Sequence, residues 1–168
     1  MTATTTGEMD QSFAQRAVGI SGFIEHLTRG ERAELRRMRD GTLFPPEPFW
    51  RIVGRYDIPP SEETFWIDMI PLMVRHPHNP SLPPGLALAQ SGVSPARIER
   101  WLRLEPERAR KEAVRLLARL DQGLNWAKFA GLLRFWGDSD RRRFARDYFL
   151  SPEHRERKLK LQSKETSR

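Results

Sequence analysis

The segment Leu124-Asn125-Trp126-Ala127-Lys128-Phe129-Ala130-Gly131-Leu132-Leu133-Arg134-Phe135-Trp136-Gly137 carries Phe129, Leu132, Leu133 and Trp136 at helical spacing. Asn125 suits an N-cap, Leu124 stands where it can staple against Phe129, and Gly137 reads as a left-handed stop. Asp138 then caps a further helix whose inner residues are Phe144, Ala145, Tyr148 and Phe149. The same grammar holds upstream. Val93-Ser94-Pro95 supplies an apolar N′ residue, a cap and a first-turn proline, with Ile98 closing the staple. Pro106 opens a helix with the seam Ala109, Ala113, Leu116, Leu117 and Leu120, which Gly123 ends.

Before residue 92 the helices are shorter. Phe13, Ala17, Ile20, Ile24 and Leu27 make one stripe, and Thr28-Arg29-Gly30 reads as its stop. A second helix is expected from Glu31 to about Asp40, closed by Gly41. A third starts at Pro48 and ends at Gly54, and a fourth follows Pro59-Pro60-Ser61 and meets Pro71 in its interior. Ten of the thirteen prolines lie between residues 45 and 84. No run alternates like a strand, so the expected fold is all-α, with about nine helices in two packed lobes. The lobes are placed at 11–92 and 93–150, between a disordered tail 1–10 and a basic, frayed tail 151–168.

The chain has 168 residues, 38% of them apolar, which is enough for a buried interior despite a mean hydropathy of −0.65. It has no cysteine, which removes disulfides, thiolate metal sites and thiol catalysis. No apolar stretch approaches the roughly 18 residues of a spanning helix, and the N-terminus lacks the pattern of an export signal. A cytoplasmic location away from membranes is therefore expected.

Charge is unevenly placed. Residues 1–84 hold 9 basic and 11 acidic side chains, and residues 85–168 hold 20 and 11. Of the 29 cations 24 are Arg, whose planar fork suits phosphate. On helices they fall in lines: Arg29, Arg32, Arg36 and Arg39, with Arg37 beside them; Arg97, Arg100 and Arg103; Arg108, Lys111, Arg115 and Arg119; and Arg141, Arg142, Arg143 and Arg146. Cations spaced about 5–6 Å apart along a helix face can follow a nucleic-acid backbone and release its counterions. The competing reading is a solvated outer face neutralised by Glu99, Glu107, Glu112 and Asp147.

The tryptophans and phenylalanines fall in phase with the apolar stripes and are expected in the core, with Trp101, near the Arg97–Arg103 line, the least settled. His76-Pro77-His78 offers half a metal site without further ligands, so neither metal nor cofactor is expected. The chain shows no nucleophile elbow, phosphate loop or dinucleotide fingerprint, and its carboxylates lie beside arginines that would depress their pKa values. Catalysis has no visible foothold.

Five ordered segments carry a resemblance. Glu31-Arg32-Ala33-Glu34-Leu35-Arg36-Arg37, Pro48-Phe49-Trp50-Arg51-Ile52-Val53, Leu86-Ala87-Leu88-Ala89-Gln90-Ser91-Gly92-Val93, Leu124-Asn125-Trp126 through Gly137, and Arg143-Phe144-Ala145-Arg146-Asp147-Tyr148-Phe149-Leu150 together resemble the CasB family, over about residues 23–150. That family is the small subunit of Cascade, the type I-E CRISPR surveillance complex. The resemblance implies a non-catalytic helical subunit, present as two copies beside the other Cascade subunits. It further implies contact with guide RNA and target DNA and retention of the displaced DNA strand of the R-loop. By position it points to Arg36, Arg37, Arg97, Arg103 and Arg115, and more loosely to Arg108, Arg119, Arg141, Arg142 and Arg143, where Asp138-Ser139-Asp140 can blunt the last run. Arg100 joins them from its helical line.

Two other classes remain open. A helical DNA-binding transcription regulator would pair Ser94–Leu104 with Pro106–Leu120, but Arg97, Glu99, Arg100 and Arg103 offer mainly phosphate partners, not base readers. A protein-interaction module for an acidic partner would bind no nucleic acid at all.

Overall fold

Side-chain caps start four of the described helices, and those at Ser94 and Asn125 stand where the sequence places them. The computed structural model describes residues 4–39 and 41–167, and side chains from residue 12 onward. Ten α-helices lie among them: α1 Thr4–Glu25, α2 Arg29–Arg36, α3 Glu47–Arg55, α4 Glu63–Arg75, α5 Pro84–Gln90, α6 Pro95–Leu102, α7 Pro106–Leu116, α8 Trp126–Phe135, α9 Asp138–Phe149 and α10 Pro152–Thr166. A 3₁₀ turn, Pro60–Glu62, leads into α4. The fold is all-α, as expected. Ser94 Oγ accepts the Arg97 N–H at the start of α6, and Asn125 Oδ1 accepts the Lys128 N–H at the start of α8. Val93 with Ile98, and Leu124 with Phe129, are buried as staples require.

Several boundaries differ from the sequence expectation. Thr28 starts a helix: its hydroxyl accepts the Glu31 N–H at 3.1 Å while the Glu31 carboxylate accepts the Thr28 N–H at 3.1 Å, a reciprocal capping box. Helix α2 therefore begins at Arg29 and ends at Arg36. Arg39 leaves the helix and donates its N–H to Thr42 Oγ1 at 2.9 Å; Asp40, the expected end, lies outside the described residues. Helix α3 runs past Gly54 to Arg55, and Asp57, at φ 49°, makes the left-handed turn, with the Ile58 N–H closing on Val53 O at 3.1 Å. Of the expected tail 1–10, residues 1–3 lie outside the described residues, and from Thr4 the backbone is helical. The segment expected to fray after Ser151 is helical to Thr166, capped by Ser151 Oγ on the His154 N–H.

The left-handed residue after α8 is Trp136, at φ 48°, and not Gly137, which sits extended as the N-cap of α9, with Asp138 as the first helical residue. Such a conformation costs an L-residue about 1–2 kcal/mol. Tertiary contacts offset it. The Trp136 indole N–H donates to Leu104 O at 2.9 Å, its ring meets Trp101 edge-on at 5.0 Å, and the Arg141 guanidinium lies over it at 5.4 Å.

Halves of the chain interlock. Helix α1 packs along α8, α5 along α9, and α4 against α2, α7 and α8. The suggested boundary at residues 92–93 is the turn between α5 and α6, and one buried cluster runs across it from Phe13 to Tyr148. The proline-rich segment is bonded to the turn before α8. Leu124 N–H donates to Pro77 O, Asn79 N–H to Leu124 O and Asn125 N–H to Leu82 O. The Trp126 indole N–H donates to His76 O at 2.7 Å, and its backbone N–H to His78 Nδ1 at 3.0 Å. Gly123, at φ 71°, allows this approach, because a Cβ there would lie 2.1 Å from Pro77 O.

Burial holds the His78 imidazole below its ordinary pKa, against a smaller upward pull from Glu25; burial also lowers His76, helped by Arg75. The unfolded chain binds the proton more readily than the native one, so stability is full above about pH 6.5 and falls as pH drops below it. We expect the melting temperature to decline between pH 7.5 and 5.5. His78→Asn, whose amide oxygen can accept the Trp126 N–H, should reduce that slope, whereas a flat wild-type profile would contradict the clamp.

Gly85 marks a second close approach, since a Cβ there would lie 2.3 Å from Phe144 O where α5 crosses α9. Gly85→Ala should cost about 1–3 kcal/mol in urea unfolding. Gly54→Ala, whose Cβ meets nothing within 4 Å, should instead stabilise by about 0.4–1 kcal/mol.

Candidate nucleic-acid interface

Helix α7 organises the charged surface. Its buried residues Ala109, Ala113 and Leu116 keep it close to the core, which leaves Arg108, Lys111, Glu112 and Arg115 on the outside. Grooves lie on both of its flanks.

The larger, about 590 Å³, runs between α7, α4 and the end of α2, and takes Arg36, Arg37, Arg39, Arg75, Lys111 and Arg115 along its walls. Two carboxylates line it among the described residues. Asp68 is nearly buried and accepts from Arg110 Nε at 2.8 Å, and Arg110 also lies over Phe65. Glu112 lies 3.6 Å from Arg115, itself 77% exposed, and Lys111 lies 3.2 Å from Glu107. No ion pair among the described residues engages Arg36, Arg37, Arg39 or Arg75. Among the described residues, cations therefore outnumber carboxylates along this groove.

The second cleft, about 230 Å³, opens between α6 and α7 and brings together Arg97, Arg100 and Arg108 over a floor of Trp101, Leu104 and Leu116. Glu112 borders both depressions. Arg97 Nη2 donates to Arg115 O at 2.8 Å, so one guanidinium edge caps the carbonyl end of α7, where a cation also suits the helix dipole. The arginines of the two clefts are therefore linked through α7.

Other expected residues lie elsewhere. Arg103 closes α6 and Arg119 follows α7; both are exposed and line neither groove. Arg141 is half-buried in the fold, donating to Leu102 O at 3.1 Å and to Asp138 at 2.6 Å besides covering Trp136. Arg143 lies 3.5 Å from Asp140 and lines a separate cleft with Lys128 and Asp147, while Arg142 is exposed on α9. Sequence reading passed over Arg75 and Arg110. Arg75 was hidden beside the His76-Pro77-His78 segment, and nothing local to Arg110 announces its pairing with Asp68.

Trp101 is only 3% exposed; its N–H donates to Ala109 O at 2.9 Å and its ring packs on Phe129, Trp136 and Phe144. It is a core residue that floors the cleft. No cluster of three metal-ligating side chains occurs among the described residues, and no described helix is long and apolar enough to cross a membrane. Chemically, the arrangement offers guanidinium forks to a polyanion, with contacts suited to phosphate oxygens rather than to one base sequence.

The family model for CRISPR-associated protein Cse2 matches residues 31–149, a span that includes both grooves. No curated protein matches the chain. In fold the chain is similar to a chain in the crystal structure of E. coli Cascade bound to a PAM-containing dsDNA target, with a TM-score of 0.64 and 23% identity over 80% of this chain and 95% of that one. With the family model covering most of its helices, including all those that build the basic grooves, the chain belongs to the CRISPR-associated Cse2 family.

Proposed function

We propose that the chain is the non-catalytic small subunit of a type I-E CRISPR surveillance complex, and that it holds nucleic acid by the backbone without reading sequence. The observation that carries the reading is the convergence of Arg36, Arg37, Arg39 and Arg75 with Arg115 in one groove, continued across α7 by Arg97, Arg100 and Arg108. Its ligands are the displaced DNA strand and the guide RNA–target duplex, and its protein partners are the other Cascade subunits and a second copy of itself. Family membership and the fold shared with a chain of E. coli Cascade support this assignment.

The energetics suit the task. The heteroduplex formed in an R-loop is about as stable as the DNA duplex it replaces, so modest contacts to the displaced strand shift the balance toward the open state. Arg103, Arg119 and Arg142 extend the charged surface beyond the grooves. Arg141 and Arg143 contribute less, because Asp138 and Asp140 engage them.

Replacing Arg36, Arg37 and Arg115 together with Ala should weaken retention of DNA of any sequence by roughly tenfold or more at low salt. It should reduce the slope of log affinity against log salt by about 2 for a single strand. In the reconstituted complex the R-loop should shorten its lifetime while assembly proceeds. Unchanged retention and unchanged slope would overturn the reading, as would tight preference for one operator sequence.

A further inference from the structure

Between α2 and α3 stand, side by side in sequence, the two most exposed large apolar side chains among the described residues, Leu43 at 78% and Phe44 at 86%. Hydrogen bonds flank the pair on both sides. Thr42 N–H closes on Arg39 O at 3.0 Å while Arg39 N–H donates to Thr42 Oγ1, which ties Thr42 back to a residue lining the larger basic groove. Beyond the tip, Pro45 and Pro46 restrict the backbone, and the Trp50 indole N–H donates to Pro45 O at 3.1 Å. Two residues span at most about 7 Å, so the Phe44 backbone stays within that distance of Thr42, which is itself bonded to Arg39.

An exposed aromatic ring, carried by a loop whose Thr42 is bonded back to the groove residue Arg39, together with nearby cations is the pairing that single-stranded nucleic acid recognises: phosphates on the cations, an unstacked base on the ring. An intact duplex hides its base faces and gains only the first contact. A purely apolar protein partner seated on this loop would have to leave or desolvate the cation of Arg39, to which the loop is bonded. We infer that Phe44 is a stacking platform for an unpaired base of a strand whose backbone lies along Arg36, Arg37 and Arg39. This inference rests on the proposed nucleic-acid role and adds to it a preference for single strands.

The test measures binding of the full chain to a poly-dT strand and to a duplex. Because Phe44 is almost fully exposed, its replacement leaves the core untouched. Phe44→Ala and Phe44→Leu should each weaken single-strand binding roughly fivefold or more, with duplex binding unchanged, and Phe44→Trp should retain it. Wild-type affinity in Phe44→Leu, with loss only in Phe44→Ala, would show that an aliphatic side chain serves equally well and overturn the inference. Wild-type affinity in both variants, or equal losses on strand and duplex, would overturn it too. A wild-type chain that binds neither probe at low salt would instead remove the proposed function on which it rests.

Discussion

The bonded junction between residues 76–82 and 123–126 is the constraint on which the molecule's layout depends. Pro77 O occupies the space a side chain at 123 would need, and Trp126 is held by two donors, one to a carbonyl and one to a neutral imidazole. Each bond is worth about 0.5–1.5 kcal/mol net, but leaving a buried donor unpaired costs about 1–3. The junction thus admits little slippage between the end of α4 and the start of α8. Since α7 precedes that turn, its position beside α4 follows, and Arg110 reinforces it by pairing with the nearly buried Asp68.

The basic surface is a consequence of that placement. Arg36 ends an early helix, Arg37 caps it and Arg115 belongs to a late one, yet they share a groove because α2 and α7 both pack against α4. Gathering guanidinium groups with few carboxylates raises their mutual repulsion, which salt screens over roughly 8–10 Å and a bound polyanion would relieve. The fold tolerates this because the cations project outward while Ala109, Ala113 and Leu116 anchor the helix beneath them. Where acids stand close, as with Asp138 and Asp140 at the start of α9, the arginines are drawn into local pairs.

Local signals made much of this fold legible from sequence. The Ser94 and Asn125 caps and the first-turn prolines at 95 and 106 act within a few residues and appear in the structure, and the staple residues Val93, Ile98, Leu124 and Phe129 are buried. What escaped was decided at a distance. Trp136 takes the left-handed position because Leu104 and Trp101 hold its ring, and Arg97 reaches the carbonyl of Arg115, eighteen residues away. Helical phase put Arg39 in line with Arg36, whereas a turn to Thr42 removes it from the helix but leaves it in the groove. The arginine lines were visible as lines. Their convergence was not, because it depends on how α2, α4 and α7 assemble.

The most direct measurement is site-resolved protection of arginines from dicarbonyl modification, read by mass spectrometry with and without a bound single-stranded oligonucleotide. The account predicts protection of Arg36, Arg37, Arg39 and Arg75 together with Arg100 and Arg108, while Arg155 on α10 stays reactive. Protection confined to arginines of α9 and α10, with those flanking α7 modified at the same rate in both states, would contradict it.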